Sequence, residues 1–477
     1  MKRRMVILVL APLLAAGCTV GPNYQAPEVP VEGAYELGGA GSVAGVAADA
    51  AWWGMLKDRQ LDGLIAGAVA NNLDVQQAGA RIREARAQRA VVAGAEGPQL
   101  NAAGGYQRTR FSQNADPYSA FQVPGFPWEF NTYQAGFDAG WEIDLFGGTR
   151  RALEAATDTV QAREEERHAA LVSLQGEVAR NYVELRGYQR QRALAQHNLD
   201  SQNQTLSLTR DRVKNGVGSD LDVSRAAALV AATAAEVPLY DRGEWQALHR
   251  LAVLTNQPLE KLMALREGGT IPEAPEAVMA GVPADLLRRR PDIRRAEREL
   301  AAATARVGAA EAELYPKLSL TGFFNLQSAS IEDLGAWRSR AFSIGPAISW
   351  PIFESGRLHA AVAVRNAQQQ EALLAYEQAV QGAIAEVRDQ MVAFATERRR
   401  QAALAEAVTA DRDALDLAGK LYAQGLTDFL TVLDAQRQLD GAENAQARSA
   451  AQLDEALIGL YKALGGGWRN QEVMSDE

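Results

Sequence analysis

Cysteine is almost missing from this chain: one residue in 477, Cys18, which excludes a disulfide framework and any cysteine-rich metal centre. Histidine is nearly as scarce, and His168, His197, His249 and His359 sit in helical stretches without a partnered ligand spacing. Positive charge is in deficit, 49 basic against 59 acidic residues, so the net charge of −10 provides no basic field for nucleic acid. No stretch of 18 consecutive apolar residues occurs, because every alanine-rich run is broken by Arg, Glu, Asp or Gln; spanning α-helices are excluded. HExxH, Gly-x-Ser-x-Gly and GxxxxGK[ST] motifs are absent, and an enzyme is not expected. What is abundant is apolar material, 47% of residues, enough for a large core.

The N-terminus has the layout of a secretory signal peptide: Lys2, Arg3 and Arg4, then an apolar stretch from Met5 to Ala16 that is too short to span a bilayer. Ala15-Ala16-Gly17-Cys18 resembles a bacterial lipobox, which implies diacylglycerol and an N-acyl chain on Cys18. Thr19, where an Asp would retain a lipoprotein at the inner membrane, points to the outer one.

The second half repeats the first. Residues 72–101 align without gaps on 290–319, with Pro98-x-Leu100-x3-Gly104 on Pro316-x-Leu318-x3-Gly322. Phe146-x3-Arg150 then matches Phe353-x3-Arg357, and Gly216-x5-Asp222 matches Gly425-x5-Thr431. The offset drops between these matches, which assigns the surplus to a long connection in the first copy, from Phe111 to Phe130. Strict period-two alternation predicts strands from Tyr133 to Leu145 and from Phe342 to Ile352, with weaker ones after Pro98 and Pro316. From Thr149 to Lys214 there is no proline, and Leu171, Leu174, Val178, Tyr182 and Leu185 recur at helical spacing. Leu358 to Gln424 repeats that geometry. Each run ends at a glycine turn, Gly216 or Gly425, before a returning helix, so the chain reads as helical hairpins with coiled-coil-like seams.

Alternating strands suit a half-buried soluble sheet and equally a barrel wall with lipid outside and water inside. Four strands close no barrel, and an open edge cannot stand in hydrocarbon with its backbone groups unsatisfied. In a membrane, several copies must therefore contribute strands to one barrel, and three is the simplest closed number.

Cys18-Thr-Val-Gly-Pro-Asn-Tyr24, Asp285-Leu-Leu-Arg-Arg-Arg-Pro-Asp-Ile-Arg294, Tyr315-Pro-Lys-Leu-Ser-Leu-Thr-Gly322 and Ala463-Leu-Gly-Gly-Gly-Trp468 together resemble the outer-membrane factor family, the TolC-like and NodT-like lipoproteins of tripartite efflux systems. The resemblance implies a mainly α homotrimeric channel-tunnel with a small β part. Each chain would give four strands to a shared twelve-stranded outer-membrane β-barrel and long helical hairpins to a periplasmic α-barrel. It implies a periplasmic membrane-fusion adaptor and an inner-membrane pump, commonly of the resistance-nodulation-division (RND) class, as partners, with no cofactor beyond the lipid on Cys18. The chain then divides into a signal peptide (1–17), a lipidated extended segment (18–57), a first repeat (58–257), a linker (258–283), a second repeat (284–464) and a tail (465–477).

By the same resemblance Asp222, Tyr422 and Asp434 occupy positions of the family's periplasmic gate, where carboxylates repeated around an axis would attract cations. Asp222 also fits a capping box with Ser219, and Asp434 also reads as a solvated acid. Arg212, Gly216, Gly218 and Gly425 belong to the turns expected to meet the adaptor. Arg288, Arg289, Arg290, Arg294 and Arg295 read as a solvated helix start neutralised by nearby acids. Two alternatives remain: the exit duct of a type I protein secretion system, which Cys18 disfavours because such ducts usually lack a lipid, and a non-conducting periplasmic scaffold lipoprotein, which the alternating strands oppose.

Overall fold

The computed structural model describes residues 19–27, 51–112, 114, 127–275 and 289–468. Cys18, the signal peptide and the last nine residues lie outside that set, as do the segment around Pro283 and most of the loop with Pro117 and Pro124. In chain order the elements are α1 (Arg59–Asn71), α2 (Leu73–Gly94), β1 (Gln99–Arg110), β2 (Glu129–Ile143), α3 (Gly148–Lys214), α4 (Asp220–Thr255), α5 (Leu259–Leu262), α6 (Pro291–Ala312), β3 (Lys317–Ser328), β4 (Arg340–Ser349), α7 (Arg357–Ala423) and α8 (Phe429–Ala463). The two proline-free runs are single helices of 67 residues each, about 100 Å long at 1.5 Å per residue. Contacts divide the chain into two compact units, the first from 1–27, 82–163 and 296–376, the second from 28–81, 164–295 and 377–477.

The first unit carries the sheet, ordered β1-β2-β3-β4 and antiparallel throughout. Register puts Phe137 opposite Phe324 and Phe324 opposite Phe342, so the period-two pattern of each strand merges into one apolar face. The opposite face carries Asn101 and Asp138, which are hydrogen-bonded at 3.0 Å, with Glu142, Thr321 and Asn325. A half-buried soluble sheet would cover the apolar face. Here it is open: Phe342 is 69% exposed, Ile344 75% and Ile348 74%. β2 begins at Glu129 and ends at Ile143, and β4 stops at Ser349, leaving Trp350 and Ile352 beyond it. The surplus of the first copy is not confined to its loop, as the offsets suggested. Residues 111–128 do outnumber 329–339, but β2 (15 residues) also outruns β4 (10 residues), because strand length follows pairing with both neighbours.

In the second unit the predicted seam packs inward, with Leu171, Leu174, Val178, Tyr182 and Leu185 all buried. Beside it lies Arg186, 1% exposed, donating to Gln189 Oε1 (2.7 Å) and to the carbonyl of Leu265 (3.1 Å). Tyr182 Oη donates to Asp58 Oδ2 (2.6 Å), whose other oxygen caps α1 through Gln60 N and Leu61 N. The stretch expected as a linker contains α5 and a 3₁₀ turn, Met263–Glu267, with Leu262 and Leu265 buried. The arginine cluster corrects another expectation. Arg290 is not solvated: its side chain is 11% exposed, paired with Asp292 and Glu386 at 2.7 Å, and it donates to the carbonyl of Ala463 (2.8 Å). Arg294 pairs with Glu165 (2.7 Å) and covers the Trp468 ring at 5.0 Å. Once the carboxyl end of α8 is packed nearby, these guanidiniums serve as internal ties.

Candidate functional site

The two hairpin turns have the same construction. Gly216 at φ +77° and Gly425 at φ +76° end α3 and α7. Gly216 N donates to Val213 O (2.9 Å) and Val217 N to Arg212 O (3.0 Å); Gly425 N donates to Tyr422 O (3.0 Å) and Leu426 N to Leu421 O (2.9 Å). This is a Schellman ending, in which a left-handed residue lets two N–H groups satisfy the last carbonyls of the helix. Gly218 is needed for space, since a Cβ there would lie 3.0 Å from Val213 N. Beyond each glycine an apolar side chain stands in solvent, Val217 at 64% and Leu426 at 70% exposed.

The returning helices are capped differently. Ser219 Oγ accepts from Leu221 N (3.1 Å), and Asp222 offers only its backbone N–H to Ser219 O. Its carboxylate has no hydrogen-bond or ion-pair partner among the described residues, so the capping-box reading of Asp222 is not realised. In the second hairpin Asp428 caps α8, accepting from Thr431 N (3.0 Å) and Thr431 Oγ1 (2.7 Å), and the Thr431 bonds hold its carboxyl below the usual range. The sequence places Asp428 in the turn expected to meet the adaptor; an Asp just ahead of an apolar-periodic run is also the signal for a cap.

Tyr422 is buried with Leu206, Leu229, Phe429, Val432 and Leu433, on the face of α8 opposite the exposed Asp434. The structure joins Tyr422 to Arg212 instead. The guanidinium lies 4.4 Å from the ring centroid and Nη1 donates to the Tyr422 carbonyl (2.9 Å). Arg212, which the sequence places in the turn expected to meet the adaptor, ties the end of α3 to the end of α7. Asp434 has no partner among the described residues, so neither acid meets Tyr422 within one chain.

Further along α8, burial dominates the acids. Asp440, which accepts from Gln202 Nε2 (2.8 Å), is pushed up to about 6 by burial and by the nearby Glu443 and Glu236. Asp454, 1% exposed, is pushed up to about 8 by burial, with Glu455 adding to it.

Residues 19–27 lie along the first unit as a strap. Val20 N donates to Phe146 O (3.0 Å). Arg151, 4% exposed, donates to Val20 O (3.2 Å), Gly21 O (3.3 Å) and Asn23 Oδ1 (2.6 Å). A Cβ on Gly21 would fall 2.3 Å from Gly308 Cα. Tyr24 donates to Glu297 Oε1 (3.2 Å) under Arg298. The strap ties the segment after Cys18 to α3 and α6.

Comparison with known proteins agrees with this geometry. The chain is 33% identical over 465 residues to the outer membrane protein OprJ of Pseudomonas aeruginosa, covering 97% of this chain and 96% of that protein. It is 32% identical to nodulation protein T of Rhizobium leguminosarum bv. trifolii, covering 96% of each. Among solved structures, the outer-membrane channel OprN matches with a TM-score of 0.87 at 36% identity, over 94% of this chain and 100% of that one. The Neisseria gonorrhoeae outer membrane channel MtrE, in its open state, matches with a TM-score of 0.81 at 29% identity, over 94% and 98%. A family model described as outer membrane efflux protein matches residues 64–257 and 282–466, one match per repeat, and the chain belongs to that family.

Proposed function

We propose that this chain is the outer-membrane subunit of an efflux pump, a passive exit duct that does no chemistry and depends on an inner-membrane pump for energy. The observation that carries the reading is the four-stranded sheet with an uncovered apolar face and unpaired edges at β1 and β4. Three chains side by side pair every edge and close a twelve-stranded barrel, which satisfies the backbone in hydrocarbon. The long α3–α4 and α7–α8 hairpins form the periplasmic α-barrel. Their tips, with Gly216, Gly218 and Gly425 and the exposed Val217 and Leu426, are the surface for a periplasmic adaptor, and the pump is of the resistance-nodulation-division class. Cys18 carries the lipid, and the division into signal peptide, lipidated segment and two repeats follows the sequence boundaries.

The gate lies at the hairpin ends. Asp222 and Asp434, unpartnered among the described residues, face the neighbouring copies or the axis, while Tyr422 and Arg212 hold the two hairpins of one chain together. Size exclusion with light scattering on the detergent-extracted mature protein should give a trimer; a detergent-independent monomer overturns the duct. Single-channel conductance should rise when Asp434→Asn and Tyr422→Leu are combined. Unchanged conductance removes both from the gate.

A further inference from the structure

A groove of about 600 Å³ runs over the first unit and is lined by all four of its helices. Hydrogen bonds give their order: Arg89 on α2 to Thr157 on α3 (2.9 Å), Arg306 on α6 to Thr159 on α3 (3.0 Å), and Gln369 on α7 to Thr304 on α6 (2.9 Å). All four helices thus border one groove. The floor is small and apolar, with Ala155, Ala156, Ala309, Ala310 and Ala361. Arg306, Arg357, Arg365 and Glu313 provide the charge.

Two of these charges are taken. Glu313 pairs with Lys317 (2.7 Å) and Arg357 with Glu354. Arg306 and Arg365 have no carboxylate within ion-pair distance among the described residues; Arg306 donates to Thr159, and Arg365 to Gln368 Oε1 (2.9 Å). The acids nearest Arg306 are Asp158, which is shared with Arg298 (3.7 Å), and Glu299. Both guanidiniums line this groove; partial desolvation, then the like charge of Arg365, lowers the Arg306 pKa against the opposite pull of Asp158 and Glu299. An anion held between them would offset the like charge.

The direction of the groove follows from helix geometry. Arg306 stands two residues from both Thr304 and Gly308, which puts it on the opposite side of α6. Gly308 touches the strap, and Thr304 shares a pocket with Asn23, Tyr24 and Pro27. With Cys18 lipidated as proposed above, the strap belongs outside the duct, and the groove on the opposite side of α6 faces the lumen.

We propose that Arg306 and Arg365 form an anion-holding site on the inner wall of the duct, repeated three times as a basic band, which takes carboxylate- or sulfonate-bearing solutes with their apolar part against the alanines. The site rests on the duct reading and adds to it a wall that favours anions at this depth. Rings of like charge set the sign of the ion that a pore favours.

The test is the reversal potential of the protein in planar bilayers under a KCl gradient, recorded for wild type and for the Asp434→Asn, Tyr422→Leu background. Arg306→Gln with Arg365→Gln should lower the chloride-to-potassium permeability ratio about twofold or more, and naphthalene-2-sulfonate should block the wild-type current more strongly than the variant current. Arg306→Lys with Arg365→Lys should keep the wild-type ratio. An unchanged ratio in the glutamine variant, or an equal fall in the lysine variant, overturns the site while leaving the duct intact. Should the double glutamine variant not assemble, Arg365→Gln alone gives the same test, because that side chain is exposed and among the described residues bonds only Gln368. Absence of current from both wild type and the gate background overturns the duct reading and this site with it.

Discussion

Asp454 departs from the ordinary chemistry of a carboxylate. Its carboxyl is buried, Oδ2 has no hydrogen bond, and protonation is favoured up to about pH 8 rather than the ordinary 3.8. Between those values the unfolded chain has released this proton and the folded chain has not. Stability therefore falls as pH rises from about 4 to about 8 and then levels. Asp454→Asn removes that slope. Its thermal midpoint in detergent should match wild type near pH 4 and exceed it at pH 8, with a gain on the order of a few kcal/mol. Equal midpoints at pH 8 would mean that the carboxyl finds a partner or water. Gly216 and Gly425 are required for another reason: a Cβ on either meets nothing within 4 Å, so the cost of alanine is the positive φ alone. Each substitution should weaken its turn by about 1 kcal/mol, read as faster amide exchange at Val217 or Leu426.

At the scale of elements, the hairpins are long helices whose ends are separately secured. Asp428→Ala removes the two bonds from Thr431 and should cost about 1 kcal/mol at the start of α8, seen as faster exchange of the Thr431 amide with little change in the melting midpoint. Arg212→Met keeps the length of the side chain and removes both the carbonyl bond and the stacked charge on Tyr422. The α3 and α7 ends then lose their tie, and the open probability in bilayers should increase; a channel as closed as wild type would make Arg212 a fold contact only. The seam of α3 was legible from spacing because 3.6-residue periodicity acts within a single helix, as with Leu174, Val178 and Leu185. The Arg212–Tyr422 tie was not, because 210 residues separate the two and no local pattern links them.

For the whole molecule, β1 and β4 are edges within one chain. In the proposed trimer each β4 pairs with the β1 of a neighbour, so one cysteine placed on each of the two edges, with the lipidated Cys18 retained because its sulfur is a thioether and forms no disulfide, should cross-link the protein into dimers and trimers on denaturing gels. A purely monomeric pattern across several registers would refute the shared barrel.

The sequence by itself determined the repeat, the strands, the two 67-residue helices and the glycine turns, since each depends on periodicity or on a residue with special backbone freedom. It also carried the family, through motifs spread along the chain. Only the tertiary structure decided that Arg290 is an internal tie, that Asp222 does not cap its helix, that Arg212 turns toward Tyr422, and that Arg306 and Arg365 line one groove. The reason is physical: periodicity reports which face of an element is apolar, whereas the partner of a charged side chain depends on which distant element is packed against it.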